Sequence, residues 1–148
     1  MRLIWFLFVL NVPLFFVLQV PPAYALSCIE PPPIEETYKQ YDGIVIAEVV
    51  SIQRDTHVNR LELHVTTSYK GIQETSIEVQ EDITWGTSKA GEIYLFFLRQ
   101  TDHGWEHPLC SPTQTADQAA GKLAYLEGKE IPLAADAQAD DESAAEIH

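Results

Sequence analysis

The sequence is poor in cysteine and in basic residues. Only two of its 148 residues, Cys28 and Cys110, are cysteines, and 9 lysines and arginines stand against 22 aspartates and glutamates, which gives a formal net charge of −13. Nucleic acids and anionic membranes attract basic protein surfaces, so this balance disfavours both as partners. A negative charge also keeps a protein soluble, and it therefore identifies no partner by itself.

The common signatures of a catalytic or metal centre are also missing. The sequence contains no glycine-rich phosphate loop, no zinc-binding signature and no G-x-S-x-G nucleophile motif. His103 and His107 have the spacing of some metal ligands, but Gly104 and Pro108 exclude a helix, and on a strand the two would lie about 13 Å apart. No carboxylate pair stands out, because the acids are spread over the predicted exposed faces. We therefore expect a protein that is not an enzyme and has no cofactor and no metal ion of its own.

The first 25 residues have the character of a secretory signal peptide. Arg2 precedes an almost wholly apolar stretch, and Ala23-Tyr24-Ala25 provides a small-residue cleavage site. An uncleaved membrane anchor is one alternative, because the apolar stretch is about long enough to span a bilayer. A lipoprotein acylated at Cys28 is another. We expect cleavage after Ala25, a mature protein that begins at Leu26, and export to the extracellular space or the cell envelope without membrane attachment.

Export determines what the two cysteines are expected to do. Exported proteins fold in compartments that permit disulfides, so a bond between Cys28 and Cys110 is predicted. This bond would close most of the domain and would anchor the N-terminal segment to it. Cys110 could act as a reactive thiol only if Cys28 were unavailable.

The mature chain is long enough for one domain and is dominated by strand patterns. β-Branched, alternating or unbroken apolar runs predict five strands, at residues 43–52, 60–70, 76–80, 93–98 and 105–107. The strand at 93–98 has no alternation, which predicts burial on both faces. In the strand at 60–70, the odd-numbered residues from Leu61 to Tyr69 are expected to share one face. We expect the strands to form an antiparallel meander that closes into a small all-β barrel.

Two helices and a tail complete the prediction. Residues 34–40 could form one helical turn after the prolines. Thr115 and Gln118 have the spacing of a capping box, which predicts a C-terminal helix from about Ala116 to Glu127 that stops at Gly128. The domain is expected to span residues 26–130. Residues 131–148 are predicted to be an acidic, disordered tail, because they offer little apolar surface to offset the entropy cost of ordering.

Several short motifs resemble those of a known family. Cys28 is followed by prolines, and the later motifs are Tyr38-x-x-x-Asp42-x-Ile44-Val45-Ile46-Ala47, Tyr69-Lys70-Gly71, the loop around Gly86, Gly91-x-x-Tyr94-Leu95-x-Phe97 and Cys110-Ser111-Pro112-Thr113. Their order resembles the netrin-like module, specifically the N-terminal domain of the tissue inhibitors of metalloproteinases (TIMPs) and their bacterial relatives, over about residues 26–127. The resemblance implies a five-stranded OB-like barrel with a C-terminal helix. It also implies a Cys28–Cys110 bond between the N-terminal segment and the end of the last strand.

The resemblance further implies how the protein could act. In the animal inhibitors, the α-amino and carbonyl groups of the first mature residue chelate the catalytic zinc of a protease, and the second side chain enters its specificity pocket. In that register Leu26 would chelate the partner's zinc, Ser27 would enter the pocket, and Cys28 would follow. The inhibitors' first-position cysteine and its disulfide partner are replaced here by Leu26 and, approximately, Trp85.

Two functions remain open at this point. One is a monomeric, secreted inhibitor of a metalloprotease whose binding edge contains Leu26, Ser27, Cys28 and Trp85. The other is a non-inhibitory extracellular interaction or structural module. Trp85 lies in a loop between two predicted strands, where it is either a core residue or an exposed contact for a partner protein.

Overall fold

The computed structural model describes Cys28, residues 30–83, Gly86 and residues 88–134. The elements in these residues are α1 (Ile34–Gln40), β1 (Gly43–Arg54), β2 (Val58–Lys70), β3 (Ser76–Asp82), β4 (Ile93–Thr101), β5 (Gly104–His107), β6 (Gln114–Thr115) and α2 (Ala120–Leu126). Neither of the two helices combines the length and the hydropathy that a bilayer crossing requires.

Five of the strands form a closed barrel. The hydrogen-bonded order is β1-β2-β3-β5-β4, and β4 pairs again with β1, while the two-residue strand β6 adds to β4. The predicted fold class, an all-β, OB-like barrel with a C-terminal helix, is therefore confirmed. Four of the predicted strands are extended by two or three residues at one end, and the last gains Gly104.

The predicted antiparallel meander is wrong at one pairing. β3 and β5 are parallel, with Val79 opposite Trp105 and Glu81 opposite His107. The reason lies in the closure of the barrel. β4 pairs with β1, and β5 is joined to β4 by a tight turn, so β5 must run beside β3 in the same direction.

The apolar residues form two clusters, one on each side of the β1–β4 sheet. Val45 and Phe96 belong to the first cluster, inside the barrel, together with residues of β2 and β3. Ile44 and Phe97 belong to the second cluster, outside the barrel, which the two helices help to form. All the residues from Tyr94 to Leu98 are buried, which confirms the prediction that this strand is buried on both faces.

The alternation of β2 changes partway along the strand. Leu61, Leu63 and Val65 face the first cluster as expected. The pairing with β1 then shifts twice, so that Thr66 and Tyr69 are left without a direct partner in β1. As a result of the bulge at Thr66, Ser68 is buried and Tyr69 packs in the second cluster. The expectation that all the odd-numbered residues share one face therefore fails beyond Val65.

The C-terminal helix begins later than the sequence predicted. Gln114 and Thr115 form β6 by pairing with Leu95 and Tyr94, and the helix begins at Ala120. Thr115 is therefore not a helix cap, and the capping-box prediction is wrong. Local capping competes here with backbone pairing to a buried strand, and the tertiary pairing prevails.

The ordered chain also continues past residue 130. The amide of Ile131 donates to the carbonyl oxygen of Ser68 at 2.8 Å, and Leu133 is buried in the first cluster. The first residues of the predicted tail therefore belong to the domain. Residues 135–148 of that tail, and the predicted signal peptide, lie outside the described residues.

Candidate functional site

Cys28 and Cys110 form a disulfide, as predicted. Their Cα atoms lie 5.4 Å apart, and the bond joins positions separated by 82 residues. Both cysteines are exposed, and Cys110 follows the end of β5 by three residues. The bond therefore fixes the N-terminal segment at one end of the barrel, which we call the disulfide rim.

The motif Cys110-Ser111-Pro112-Thr113 holds one half of this disulfide in place. Cys110 has a positive φ of 60°. The Ser111 hydroxyl donates to the carbonyl oxygen of Phe97 at 3.0 Å, and the Thr113 hydroxyl oxygen accepts from the Phe97 amide at 3.0 Å. These two side chains thus take the place of a neighbouring strand beside β4. The backbone that carries Cys110 is consequently attached to the centre of the sheet.

A small pocket of about 180 Å³ opens beside the disulfide. Cys28 and Cys110 line it together with Glu81 from β3, His107 from β5 and Leu109 from the following turn. Leu109 is half exposed, whereas Glu81 is almost completely buried. The pocket therefore combines an apolar edge with a buried carboxylate.

The buried position of Glu81 follows from the pattern of its strand. Ile77, Val79 and Glu81 alternate with exposed or half-buried residues and point to the same side of β3. At its end, this strand therefore places a carboxylate where an apolar side chain would be expected. Acids were expected only on exposed faces, and that expectation is wrong for Glu81, which is 3% exposed.

Three neighbouring side chains compensate this buried charge. His107 Nδ1 lies 2.9 Å from Glu81 Oε1, and the Ser88 hydroxyl donates to the same oxygen at 2.6 Å. The Asn59 side chain forms a further hydrogen bond. Burial by itself would raise the pKa of Glu81, but the hydrogen bonds from His107, Ser88 and Asn59 outweigh it and hold the pKa below its usual value. Glu81 is therefore ionised at neutral pH.

In the loop between β3 and β4, Gly86 and Ser88 lie directly against this carboxylate. A Cβ atom added to Gly86 would lie 2.6 Å from Glu81 Oε2 and 2.8 Å from the Asn59 side-chain nitrogen. A side chain at position 86 would therefore force Glu81 or Asn59 to shift. On the other side of Glu81, the His107 ring contacts Phe96 edge to face, with ring centres 5.5 Å apart.

The structure brings together some of the predicted site residues and leaves others outside its description. Cys28 lies at the disulfide rim, whereas Leu26, Ser27 and Trp85 lie outside the described residues. His103 and His107 have the spacing of some metal ligands, but His103 is exposed in the β4–β5 turn and His107 pairs with Glu81. Within the described part of the chain, no three histidine, cysteine or acidic side chains are grouped so that they could hold a metal ion.

Sequence reasoning missed Glu81 and its pairing with His107. One signal was available, because the alternation Ile77, Val79, Glu81 continues the inward-facing positions of β3 by one step. The predicted strand ends at residue 80, one position before Glu81.

Comparison with known proteins adds no assignment. No model of a protein family matches the chain, and no curated protein matches it either.

Proposed function

We propose that this protein is an extracellular protein-binding module that inhibits a zinc metalloprotease through its mature N-terminus. The observation that carries the proposal is the Cys28–Cys110 disulfide, which attaches the N-terminal segment to the rim of an OB-like barrel. The disulfide also suits an oxidising compartment, in agreement with an exported protein. In this proposal residues 1–25 are the leader, and cleavage after Ala25 frees the amino group of Leu26.

The chemistry of the terminus supports this role. An α-amino group has a pKa of about 7.7–8.0, so part of it is neutral near pH 7 and can coordinate a metal ion. Leu26 would supply this amine and its carbonyl oxygen to the protease's zinc. Ser27 would enter the adjoining specificity pocket. Cys28, the third mature residue, is the point at which the segment is fixed to the barrel.

The rim offers further contact surface for a partner. Leu109 is 49% exposed beside the disulfide, and Ile83, which follows the pocket-lining Asp82, is 47% exposed. Exposed apolar side chains around a fixed segment are suited to burial against another protein. In the proposed complex they would flank the N-terminus.

One difference from the TIMP pattern affects the expected affinity. The first mature residue is not a cysteine, so the disulfide holds the chain only at the third residue. A terminus that is held only at its third residue loses more conformational entropy on binding than one held at its first, and this cost lowers affinity. We therefore expect weaker inhibition than a terminus held at its first residue would give.

The half-exposed Leu109 and Ile83 also favour a second candidate function. They could bind an extracellular partner without any contribution from a free N-terminus, which would make the protein an interaction module without inhibitory activity. Neither candidate involves catalysis by this chain.

The decisive experiment compares two mature termini. Protein that begins at Leu26 and protein with one extra alanine before Leu26 are assayed against a panel of zinc endopeptidases, with the disulfide confirmed by mass. The extension displaces the chelating amine, so inhibition should weaken by about a hundredfold or more, equivalent to the loss of about 2.7 kcal/mol. Equal inhibition by both proteins would refute zinc chelation.

A second comparison tests the proposed pocket contact. Ser27→Arg should change the inhibition constants, whereas Ser76→Arg, on the exposed start of β3, should not. If the protein beginning at Leu26 inhibits no protease of the panel, the inhibitory function is wrong and the interaction module remains. In that case Leu109→Asp should weaken binding to the partner.

A further inference from the structure

Glu81 is the one buried charged side chain in the part of the chain that the structure describes. A buried carboxylate is costly unless donors surround it, and an apolar residue at this position would avoid the cost. The location of the donors is therefore informative. They come from β2, from the β3–β4 loop and from β5, which meet at the disulfide rim.

The loop contact is the most specific of these. Ser88 donates to Glu81 Oε1 at 2.6 Å, and the backbone at Gly86 lies close against the other oxygen. The amide of Lys89, the residue after Ser88, donates to the Tyr94 hydroxyl oxygen at 3.2 Å. The loop thus has one attachment to the carboxylate and another to β4.

The contact to β5 connects the same carboxylate to the disulfide. His107 pairs with Glu81 Oε1 at 2.9 Å and precedes Cys110 by three residues. Glu81 and His107 line the same pocket as Cys28 and Cys110. The carboxylate therefore lies between the loop on one side and the disulfide-bonded segment on the other.

We propose that Glu81 is a positioning residue, which holds Gly86 and Ser88 of the β3–β4 loop in register with the Cys28–Cys110 disulfide so that both face the protease together. This inference deepens the proposed function and rests on it for its consequence in binding. Its structural part, the attachment of the loop through Glu81, can be tested without any partner.

The test uses amide hydrogen exchange measured by NMR on the full mature protein. The Lys89 amide reports on the loop, and the Val65 amide, which donates to the carbonyl oxygen of Thr75 at 2.9 Å, reports on the barrel. Ser88→Ala removes one hydrogen bond to a charged group and leaves Glu81 paired with His107. Exchange at Lys89 should rise by about tenfold or more, with Val65 unchanged.

Two substitutions of the carboxylate complete the series, with a control on the same strand. Glu81→Leu should increase Lys89 exchange at least as much as Ser88→Ala, and Glu81→Gln should restore part of the protection because the amide oxygen can still accept. Glu78→Gln removes an exposed carboxylate of β3 and should leave Lys89 unchanged. A further readout is the His107 Nδ1 proton, which should be protected in the wild type and in Glu81→Gln but lost in Glu81→Leu.

The outcomes separate clearly. If Glu81→Leu destabilises the whole barrel, the proposal is judged from Ser88→Ala instead. In that variant, an increase in amide exchange at Lys89 without an increase at Val65 supports the proposal. Wild-type exchange at Lys89 in both Ser88→Ala and Glu81→Gln overturns it. Where the wild type inhibits a zinc endopeptidase, Ser88→Ala should weaken inhibition severalfold and Ser76→Ala should not. A wild type that inhibits nothing refutes the proposed function, whereas the exchange result stands independently.

Discussion

Replacing Gly71 with alanine should destabilise the fold far more than the same change at Gly91. Both glycines have a positive φ, 72° and 81°. They differ in their surroundings, because a Cβ atom at Gly71 would overlap the carbonyl oxygen of Asp42, whereas Gly91 has nothing within 4 Å. The pair therefore separates the cost of the backbone conformation from the cost of the close approach.

The expected magnitudes follow from the neighbours of Asp42. Alanine in the left-handed region costs about 1–2 kcal/mol, and the reduced freedom of the unfolded chain returns somewhat less than 1 kcal/mol. At Gly71 the Asp42 carbonyl must also move. That residue is held by its amide, which donates to Leu98 O at 3.0 Å, and by its carboxylate, which accepts from the Gln100 amide at 3.0 Å. Weakening both bonds adds about 2 kcal/mol.

We therefore expect a loss of about 3 kcal/mol for Gly71→Ala and about 1 kcal/mol for Gly91→Ala. Urea unfolding of the oxidised protein measures both, provided that the slope with urea is the same in all three proteins. Losses that agree within about 0.5 kcal/mol would refute the reasoning, because the contact with Asp42 would then carry no energy.

Three further predictions concern the disulfide, the buried carboxylate and a lysine. In the double variant Cys28→Ser, Cys110→Ser, the free energy of unfolding measured with urea should decrease by up to about 4.5 kcal/mol. The disulfide closes a loop between positions 82 residues apart, and the unfolded chain without it gains the corresponding entropy. Equal stabilities of the variant and the wild type would contradict this prediction. The pKa of Glu81 is lower in the folded state than its ordinary value of 4.5, so its stabilisation is present above that pH and is lost as the pH falls through the folded-state pKa. The urea concentration at the midpoint of unfolding should therefore decrease as the pH is lowered below 4.5. If Glu81→Gln shows the same decrease, groups other than Glu81 cause it. Lys70→Met should cost about 2 kcal/mol, because the ammonium group donates to two carbonyl oxygens at the end of α1. Lys129→Met loses a single such bond and should cost about half as much. Thermal unfolding of both variants measures these costs, and equal losses of stability would contradict this account.

The barrel could be predicted from the sequence because strand patterns depend on local residue order. The runs at 43–52 and 93–98 are rich in β-branched or aromatic residues, which marks them as buried strands before their partners are known. The disulfide could also be predicted, since two cysteines leave a single possible intramolecular bond. These features need no knowledge of distant contacts.

The errors arose where distant contacts decide the structure. Thr115 has the local character of a helix cap, but the open edge of β4 offers its backbone a strand partner. The parallel pairing of β3 with β5 follows from the closure of the barrel, which no single segment encodes. The bulge in β2 moves Tyr69 to the other face without any break in the alternating pattern.

The candidate site shows the same limit. Glu81 has the residue type of an exposed position and the register of a buried one, and only the donors Asn59, Ser88 and His107 resolve the conflict. These three residues come from separate parts of the chain. The alternation of β3 can place Glu81 on the inner face, but the partners that make its burial tolerable cannot be recognised before the fold is known.

The apolar cluster outside the barrel has a consequence for the order in which the domain can fold during synthesis. This cluster joins Tyr41, near the start of the domain, with Leu126, near its end. The strands emerge first, with Ile44, Leu95 and Phe97 still open to water on their outer side. Completion of the native packing must wait for α2, which emerges after Cys110. The disulfide can therefore form before the outer cluster is closed, and the covalent bond can hold the barrel together until the last helix arrives.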